Sequence, residues 1–179
     1  KISFIFPQPQ LSENIGALAR ARKNFNFFTL IVINPKPTFP NDKIVATSVG
    51  AQEIIKKSKV YETLEPVMKN FDLLISTTSR FRNKNIKHIR LNELNKIDFK
   101  KKIAFLFGPE ASGLSNNEIS FSNYVLQIPS NPNFKSLNLS HSLIIVCQTV
   151  YNLIKLKDSK YTKSKKVKLA SKKEIQSML

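Results

Sequence analysis

The sequence predicts an α/β fold, in which a mainly parallel sheet carries helices on both of its faces. Short apolar runs that suit strands alternate with stretches that suit helices, and this order is typical of parallel sheets. The 179 residues, 41% of them hydrophobic, allow one domain with a core of ordinary size plus a tail. Irregular loops follow two of the late apolar runs, and such loops at the ends of adjacent buried strands can form a pocket.

Apolar runs at residues 2–6, 29–33, 73–76, 103–107 and 124–128 predict five strands. Helices are predicted at residues 14–25, 44–56, 62–70 and 137–156, and the polar stretch 81–102 is predicted to be a surface excursion with one short helix near residues 91–95. The first helix can turn Ile15, Leu18 and Ala19 towards the core. Arg20, Arg22 and Lys23 are then expected to lean elsewhere.

The last helix carries apolar side chains on more than one face, which predicts that it is buried on two sides. These side chains are Leu139, Leu143, Ile144, Val146, Val150 and Ile154. One side can meet the sheet and the other a second subunit, whereas a thick core within one subunit is the alternative. Beyond Leu156 the composition changes, since residues 157–173 are rich in lysine and predict a linker. Ser171 and Glu174 have the spacing of a capping box, which predicts a new helix start.

A formal net charge of +17 points to a polyanionic partner such as RNA. Part of this charge can reflect a bias in composition, because lysine, asparagine and isoleucine are abundant throughout. Only five of the 29 basic residues are arginines, however, and four of them form the pairs Arg20/Arg22 and Arg80/Arg82. A guanidinium binds phosphate through two parallel hydrogen bonds that lysine cannot make, so these four arginines are predicted to contact RNA.

Several classes of protein are excluded by composition. No apolar run reaches the roughly 20 residues needed to span a bilayer, and the first residues lack the pattern of a secretory signal, so we expect a cytoplasmic protein. Since the chain begins at Lys1 without a methionine, a missing upstream segment stays open. The single Cys147 predicts a buried thiol and no disulfide. His88 and His141 have no partners at metal-ligand spacing, so we expect no metal and interpret them as surface and helix-packing residues.

Three strings of residues stand out from this background. The first runs from Asn14 to Arg20 as Asn-Ile-Gly-x-x-x-Arg, and the second, Phe-Gly-Pro-Glu-x-x-Gly-Leu, begins at Phe107. The third begins at Ile128 and reads Ile-Pro-x-x-Pro-x-x-x-Ser-Leu-Asn-Leu-Ser. Gly108 and Gly113 in the second string are expected to let the backbone approach a ligand closely. No glycine fingerprint of a Rossmann fold or P-loop is present, which disfavours those nucleotide-binding folds.

These three strings, in this order, resemble the SPOUT superfamily of knotted RNA methyltransferases, and in particular its ribose 2′-O-methyltransferases of the TrmH and TrmJ types. The resemblance runs from about Ile2 to Leu156. Asn34-Pro35, Gly50-Ala51 and the string Thr-Thr-Ser-Arg-x-Arg from Thr77 are similar to the TrmJ branch. The resemblance implies a methyltransferase domain at residues 1–156, with a C-terminal trefoil knot. Residues 157–179 would then be a basic linker and the start of a C-terminal helical extension, which suggests a truncated enzyme.

The resemblance also implies the chemistry, the cofactor and the partners. The cofactor is S-adenosyl-L-methionine, the substrate is RNA, most simply the anticodon loop of tRNA at position 32, and the enzyme is a homodimer that buries its last helix. The implied cofactor-binding residues are Thr77, Thr78, Ser79, Gly108, Pro109, Ile128, Pro129, Ser136, Leu137 and Asn138. The implied catalytic residues are Arg20, Asn14, Glu110, Ser136 and Asn138.

Each catalytic assignment has a structural alternative. Arg20 is expected to clamp the phosphate beside the target ribose and stabilise the incipient alkoxide, since a guanidinium does not act as a free base at neutral pH; it could also be a surface helix arginine. Asn14 could cap a helix, and Glu110 could be a solvated loop carboxylate instead of a positioner of Asn14, Arg20 or the ribose. Ser136 and Asn138 could simply start the last helix.

The chain departs from the family's pattern at two points, and one of them is a short C-terminal extension. Ser140-His141-Ser142 stands where relatives commonly carry small or apolar residues, so packing at the knot is expected to differ. The target could be rRNA or another tRNA position. The chain could also be a catalytically silent RNA-binding module that keeps the knot, although the presence of Arg20 and Glu110 argues against silence.

Overall fold

A computed structural model describes residues 1–80 and 85–158 of the chain. Its centre is a seven-stranded sheet in which every pair of neighbouring strands is parallel. The strands are β1 (Ile2–Pro7), β2 (Leu30–Ile33), β3 (Lys59–Tyr61), β4 (Leu73–Thr77), β5 (Lys87–Arg90), β6 (Ile103–Phe107) and β7 (Tyr124–Gln127). Their order across the sheet is β3-β2-β1-β6-β4-β7-β5, so the chain crosses over the sheet repeatedly. The predicted parallel α/β fold is confirmed.

The central strands are apolar throughout, as burial on both faces of a parallel sheet requires. In β6 all five residues are buried, and the aligned Phe4 and Phe105 of neighbouring β1 and β6 stack with ring centroids 5.7 Å apart. Alternate residues supply the two faces, because successive side chains of a strand point to opposite sides. Phe4 thus belongs to one core and Ile5 to the other.

Helices cover both faces of the sheet, as predicted. On the face of Phe4 lie α1 (Ser12–Asn24), α2 (Asp42–Thr47), α3 (Gln52–Lys56), a 3₁₀ helix (Leu91–Lys96) and α6 (Leu139–Asp158). On the face of Ile5 lie α4 (Glu65–Met68) and α5 (Asn116–Ser120). The 3₁₀ helix confirms the short helix predicted within residues 81–102. Neither α6 nor another helix within the described ranges is long and apolar enough to cross a membrane.

The two strands at the edges of the sheet were not predicted. β3 is three residues long and exposes Lys59 and Val60, and β5 lies in the basic stretch that we expected to be a surface excursion. Short, charged edge strands are common because they discourage pairing with other chains, and the same features hide them from a search for apolar runs. The prediction of a surface excursion is therefore wrong at residues 87–90, where Ile89 is buried in the core.

All four predicted helices have different bounds in the structure, and the one predicted at residues 137–156 is α6, two residues further along at each end. The helix predicted at residues 44–56 is two helices, α2 and α3, with Gly50 between them at a φ of +74°. The helix predicted at residues 62–70 shrinks to the single turn of α4, and α1 begins at Ser12, two residues before Asn14. Gly16 sets the distance between α1 and α2, because a Cβ there would lie 2.0 Å from Thr47 Oγ1 and 2.8 Å from the Ile44 carbonyl oxygen.

Helix α6 packs most of its apolar side chains inside the chain's own core. Leu143, Val146 and Val150 are fully buried, whereas Ile144 is 40% exposed. Cys147 is fully buried too, as predicted, and burial raises the pKa of its thiol to about 12. The alternative of a thick core within one subunit thus accounts for most of the apolar side chains of this helix. The exposed Ile144 is still available for contact with a second subunit.

The position of Arg22 differs from the one predicted from the sequence. Its side chain is fully buried on α1, so the prediction that it leans away from the core is wrong. Nη1 donates a hydrogen bond to the carbonyl oxygen of Thr29 at 2.9 Å, but Nε and Nη2 have no partner among the described residues. Burial lowers the pKa of the guanidinium to about 9, while the neighbouring Cys147 opposes this shift. An enclosed side chain cannot meet a phosphate, so we withdraw Arg22 as an RNA contact.

We expect Arg22→Met to fold with stability equal to or greater than that of the wild type, by up to about 4 kcal/mol. Burial lowers the pKa of Arg22 only to about 9, so the guanidinium is charged at pH 7 in both the folded and the unfolded state. Only the folded state bears the cost of dehydrating that charge. Urea unfolding at pH 7 measures the difference. Arg22→Ala leaves a cavity and should be about 2 to 5 kcal/mol less stable than Arg22→Met. A clear loss of stability in Arg22→Met would show that the bond to Thr29 outweighs dehydration.

Candidate active site

A cavity opens at the carboxyl edge of the sheet, where loops following β4, β6 and β7 converge. The first wall is formed by residues 77–80, the second by residues 107–114, and the third by Ile128, residues 135–137, Leu139 and Ser142. Because all strands are parallel, all three loops leave the sheet at the same edge, although they lie far apart in sequence. The second and third of the sequence strings therefore meet at one place.

Most of the residues predicted to bind a cofactor line this cavity. They are Thr77, Thr78, Ser79, Gly108, Pro109, Ile128, Ser136 and Leu137. The predicted Pro129 and Asn138 are not among the lining residues. The walls combine apolar side chains such as Phe107 and Leu139 with hydroxyls and backbone amide groups, and this mixture is typical of pockets for small organic molecules.

Gly108 is required by the shape of its own loop. A Cβ on Gly108 would lie 2.1 Å from the backbone nitrogen of Leu114 and 2.3 Å from the carbonyl carbon of Gly113. Gly113 has a φ of +67°, and its amide donates a hydrogen bond of 2.8 Å to the carbonyl oxygen of Pro109, which closes the loop. Gly108 therefore lets the loop fold back on itself, and since both glycines line the cavity, the close approach of a ligand stays a prediction.

A chain of polar side chains links the three sequence strings beside the cavity. Asn14 Nδ2 donates to Glu110 Oε1 at 2.7 Å, and Asn138 Nδ2 donates to Asn14 Oδ1 at 3.4 Å. Asn14 is almost completely buried. Its amide thus bridges a loop 96 residues away and the start of α6, 124 residues away.

The position of Asn14 excludes the capping role that the sequence allowed. The residue before α1 is Leu11, which makes no side-chain cap, and Asn14 lies inside the first turn. Its side chain is therefore free to hold Glu110, and the expected pairing of Glu110 with Asn14 is present.

Gln10 also belongs to this cluster and was missed by the sequence analysis. Its backbone amide donates to Glu110 Oε2 at 3.0 Å, and its side-chain oxygen accepts from the amide of Ala111 at 3.3 Å. Gln10 thereby holds Oε2 of Glu110 from the segment before α1, while Asn14 in the first turn of α1 holds Oε1. Gln10 lies just before the first string in a loop, and nothing in its spacing indicated the contact.

Ser136 and Asn138 occupy different positions at the entry of α6. Ser136 is exposed and lines the cavity, whereas the Asn138 Oδ1 accepts from the amide and the hydroxyl of Ser140 at 2.8 and 2.7 Å. Asn138 therefore stands at the start of α6 and joins the polar cluster, whereas its predicted contact with the cofactor stays a prediction.

The predicted arginines lie in different environments. Arg80 is exposed and lines the cavity. Arg20 is exposed on α1 and does not line it, and Arg82 lies outside the described residues. Of the two residues in the first pair, only Arg20 can meet an external phosphate.

No group of three or more histidine, cysteine, aspartate or glutamate side chains within residues 1–80 and 85–158 is placed to hold a metal ion. His141 is exposed on α6, and His88 lies in the edge strand β5.

The family match and similar curated proteins both point to RNA methyltransferases. The model of the SpoU rRNA methylase family matches residues 1–148. The tRNA (cytidine-2'-O-)-methyltransferase TrmJ of Sulfolobus acidocaldarius is 35% identical over 162 residues, which cover 89% of this chain and 67% of that protein. The chain thus spans about two thirds of this relative.

Solved structures agree with the sequence match. TrmJ from Z. mobilis ZM4 superposes with a TM-score of 0.79 at 27% identity, covering 84% of this chain and 68% of that one. An AdoMet-bound rRNA methyltransferase from Sinorhizobium meliloti has a TM-score of 0.68 at 16% identity and covers 85% of this chain and 56% of that one, which shows a shared fold.

We expect Gly108→Ala to destabilise the protein by about 1 to 3 kcal/mol, because the new methyl group would overlap backbone atoms that cannot rotate away. A thermal melt of the purified protein measures the loss. Ser112→Ala, in the same loop but exposed, is the control and should change stability by less than about 0.5 kcal/mol. Equal melting temperatures for Gly108→Ala and the wild type would show that the loop can accommodate a methyl group at this position.

Proposed function

The chain belongs to the SpoU rRNA methylase family, and from this membership we propose that it transfers a methyl group from S-adenosylmethionine to a ribose 2′-hydroxyl of RNA. The observation that carries the proposal is the polar cluster of Asn14, Glu110 and Asn138, which joins all three family strings at the rim of one cavity. A role confined to packing would not require a buried amide and a carboxylate at the edge of a pocket.

The residues present fit the cofactor. The hydroxyls and backbone of residues 77–79 can bind polar groups of the nucleoside, and the apolar Ile128, Leu137 and Leu139 can cover its adenine. Ser136 can contact the methionine end. When bound, S-adenosylmethionine supplies an activated methyl group on a sulfonium, so the protein has to align the ribose, remove one proton and stabilise developing charge.

Arg20 is the residue we assign to the charge on the ribose oxygen. Its guanidinium is exposed, and a planar donor fork can hold the phosphate next to the reacting ribose while stabilising the incipient alkoxide. The proton of the 2′-hydroxyl leaves to the phosphate or to water, because a guanidinium stays protonated at neutral pH. Glu110, held by Gln10 and Asn14 in the wall of the cavity, orients the ribose.

We further propose that the enzyme is a homodimer. Arg20 lies on α1 outside the cavity of its own chain, so a second subunit could bring the two together. Ile144 on α6 offers an exposed apolar side chain for such an interface. The segment that follows β7 would be threaded as a trefoil knot, which suits its position against the loops that follow β4 and β6.

We propose tRNA as the substrate, with the anticodon loop at position 32 as the target implied by the resemblance to the TrmJ branch. The similarity to a tRNA (cytidine-2'-O-)-methyltransferase supports this choice over rRNA. Arg80, exposed at the cavity, is then placed to contact a phosphate of the bound RNA.

The first test is cofactor binding without RNA. S-adenosylhomocysteine should bind with measurable heat in calorimetry and raise the melting temperature, because three preformed loops already shape its cavity. ATP serves as the control ligand and should do neither. Methyl transfer from radiolabelled S-adenosylmethionine to unmodified tRNA, followed by mapping of the methylated ribose, identifies the target. Folded protein that binds tRNA but no S-adenosylhomocysteine would support the silent RNA-binding module instead.

The second test concerns Arg20. We expect Arg20→Ala to lower single-turnover methylation of saturating tRNA at least about 100-fold, since stabilisation of developing charge is lost, while the affinity for S-adenosylhomocysteine stays unchanged. Arg20→Lys should recover little of the rate because it lacks the paired donors. Lys69→Ala is the matched control, because Lys69 is an exposed basic residue shortly before β4, at the amino ends of the strands and away from the cavity. Normal methylation by Arg20→Ala would remove Arg20 from the active site.

A further inference from the structure

One aromatic side chain stands in water beside the cavity. Phe134 is 77% exposed, which is more than any other large apolar side chain of the described residues. Other phenylalanines, such as Phe4 and Phe105, are completely buried in the core. Such exposure has a hydrophobic cost of about 25 cal/mol for each Å² of apolar surface left in water.

The loop around Phe134 is closed by hydrogen bonds. The amide of Phe134 donates to the carbonyl oxygen of Asn131 at 2.9 Å, and the amide of Asn133 donates to Asn131 Oδ1 at 2.9 Å. Ser130 Oγ donates to the carbonyl oxygen of Lys135 at 3.1 Å. Three bonds within six residues fix the backbone on both sides of the ring, so the fold itself presents it outward.

Phe134 adjoins the cavity wall along the chain. Lys135 and Ser136, the next two residues, line the cavity wall, and consecutive Cα atoms are about 3.8 Å apart. Residues 128–138 contain no aspartate or glutamate, whereas they contain the exposed Lys135. The segment around Phe134 thus combines an exposed apolar ring with a positive charge.

From this arrangement we infer that Phe134 is a stacking platform for a nucleobase of the bound RNA, next to the ribose that is methylated. This inference rests on the proposed function. Proteins hold unpaired nucleotides by stacking the base on an aromatic ring and by neutralising the phosphate with a nearby cation, and the adjacent Phe134 and Lys135 supply these two groups. A ribose that reaches into the cavity carries its base only a few ångströms away, at the rim.

The test measures the affinity of the full chain for an unmodified tRNA transcript over a range of salt concentrations, with S-adenosylhomocysteine present. Phe134→Ala should weaken binding about fivefold or more, and Phe134→Tyr should bind like the wild type. The slope of log Kd against log salt should stay unchanged in Phe134→Ala, because stacking releases no counterions. Lys135→Ala should instead reduce that slope by about 0.7 to 0.9.

Phe28→Ala is the matched control. Phe28 is 49% exposed and precedes β2, so it lies at the amino ends of the strands, opposite the cavity at their carboxyl ends. It should bind tRNA like the wild type. Calorimetry with S-adenosylhomocysteine and light scattering on each variant report whether the cavity and the assembly are intact.

Three results would overturn the inference: unchanged tRNA affinity in Phe134→Ala, loss of its cofactor affinity, or dissociation of an oligomer, which would mean that a second copy of the chain covers the ring. The proposed function fails separately, and the inference with it, if the wild type neither binds nor methylates RNA. If the wild type methylates tRNA and Phe134→Ala does so with the same Kd and kcat/KM, only the stacking role is lost.

Discussion

The contact between Asn14 and Glu110 is the interaction on which the rest of the site depends. It joins the first turn of α1 to the loop after β6 across 96 residues of sequence, and the hydrogen bond from Asn138 extends it to the start of α6. An amide can donate and accept at once, so Asn14 satisfies a carboxylate on one side and a second amide on the other. An aspartate in its place would set two carboxylates against each other, and a leucine would leave Glu110 and Asn138 without this partner.

Two tight backbone contacts make that polar cluster possible. Gly16 lets α1 lie against α2, which sets the position of the helix that carries Asn14. Gly108 lets the loop after β6 close over its own backbone, which sets the position of Glu110 two residues later. Each glycine belongs to the same sequence string as the polar residue that it positions, so the strings describe a geometry as well as a chemistry.

The central part of the fold could be predicted because its signals are local. The apolar runs of β1 and β6 identify buried strands without any knowledge of their neighbours. The edge strands β3 and β5 could not be found this way, since they are short and charged and their hydrogen bonds come from strands distant in sequence. The burial of Arg22 was not predicted for a related reason. An arginine on a helix is usually solvated, whereas here α1 packs against α6 and Arg22 is fully buried. The cavity walls followed from the family strings, whereas Gln10 acts mainly through its backbone, which residue type does not reveal.

The order of the strands determines when this site can exist during synthesis of the chain. The walls come from residues 77–80, 107–114 and 128–142, and the last of them is synthesised only after all seven strands. Until then Asn14 and Glu110 can pair, but Asn138 and Lys135 are absent, and the cavity has no third wall. Much of the positive charge of the nascent chain is therefore synthesised before the cavity can form. Specific recognition has to await the late segment, which makes assembly of the site one of the last events in folding.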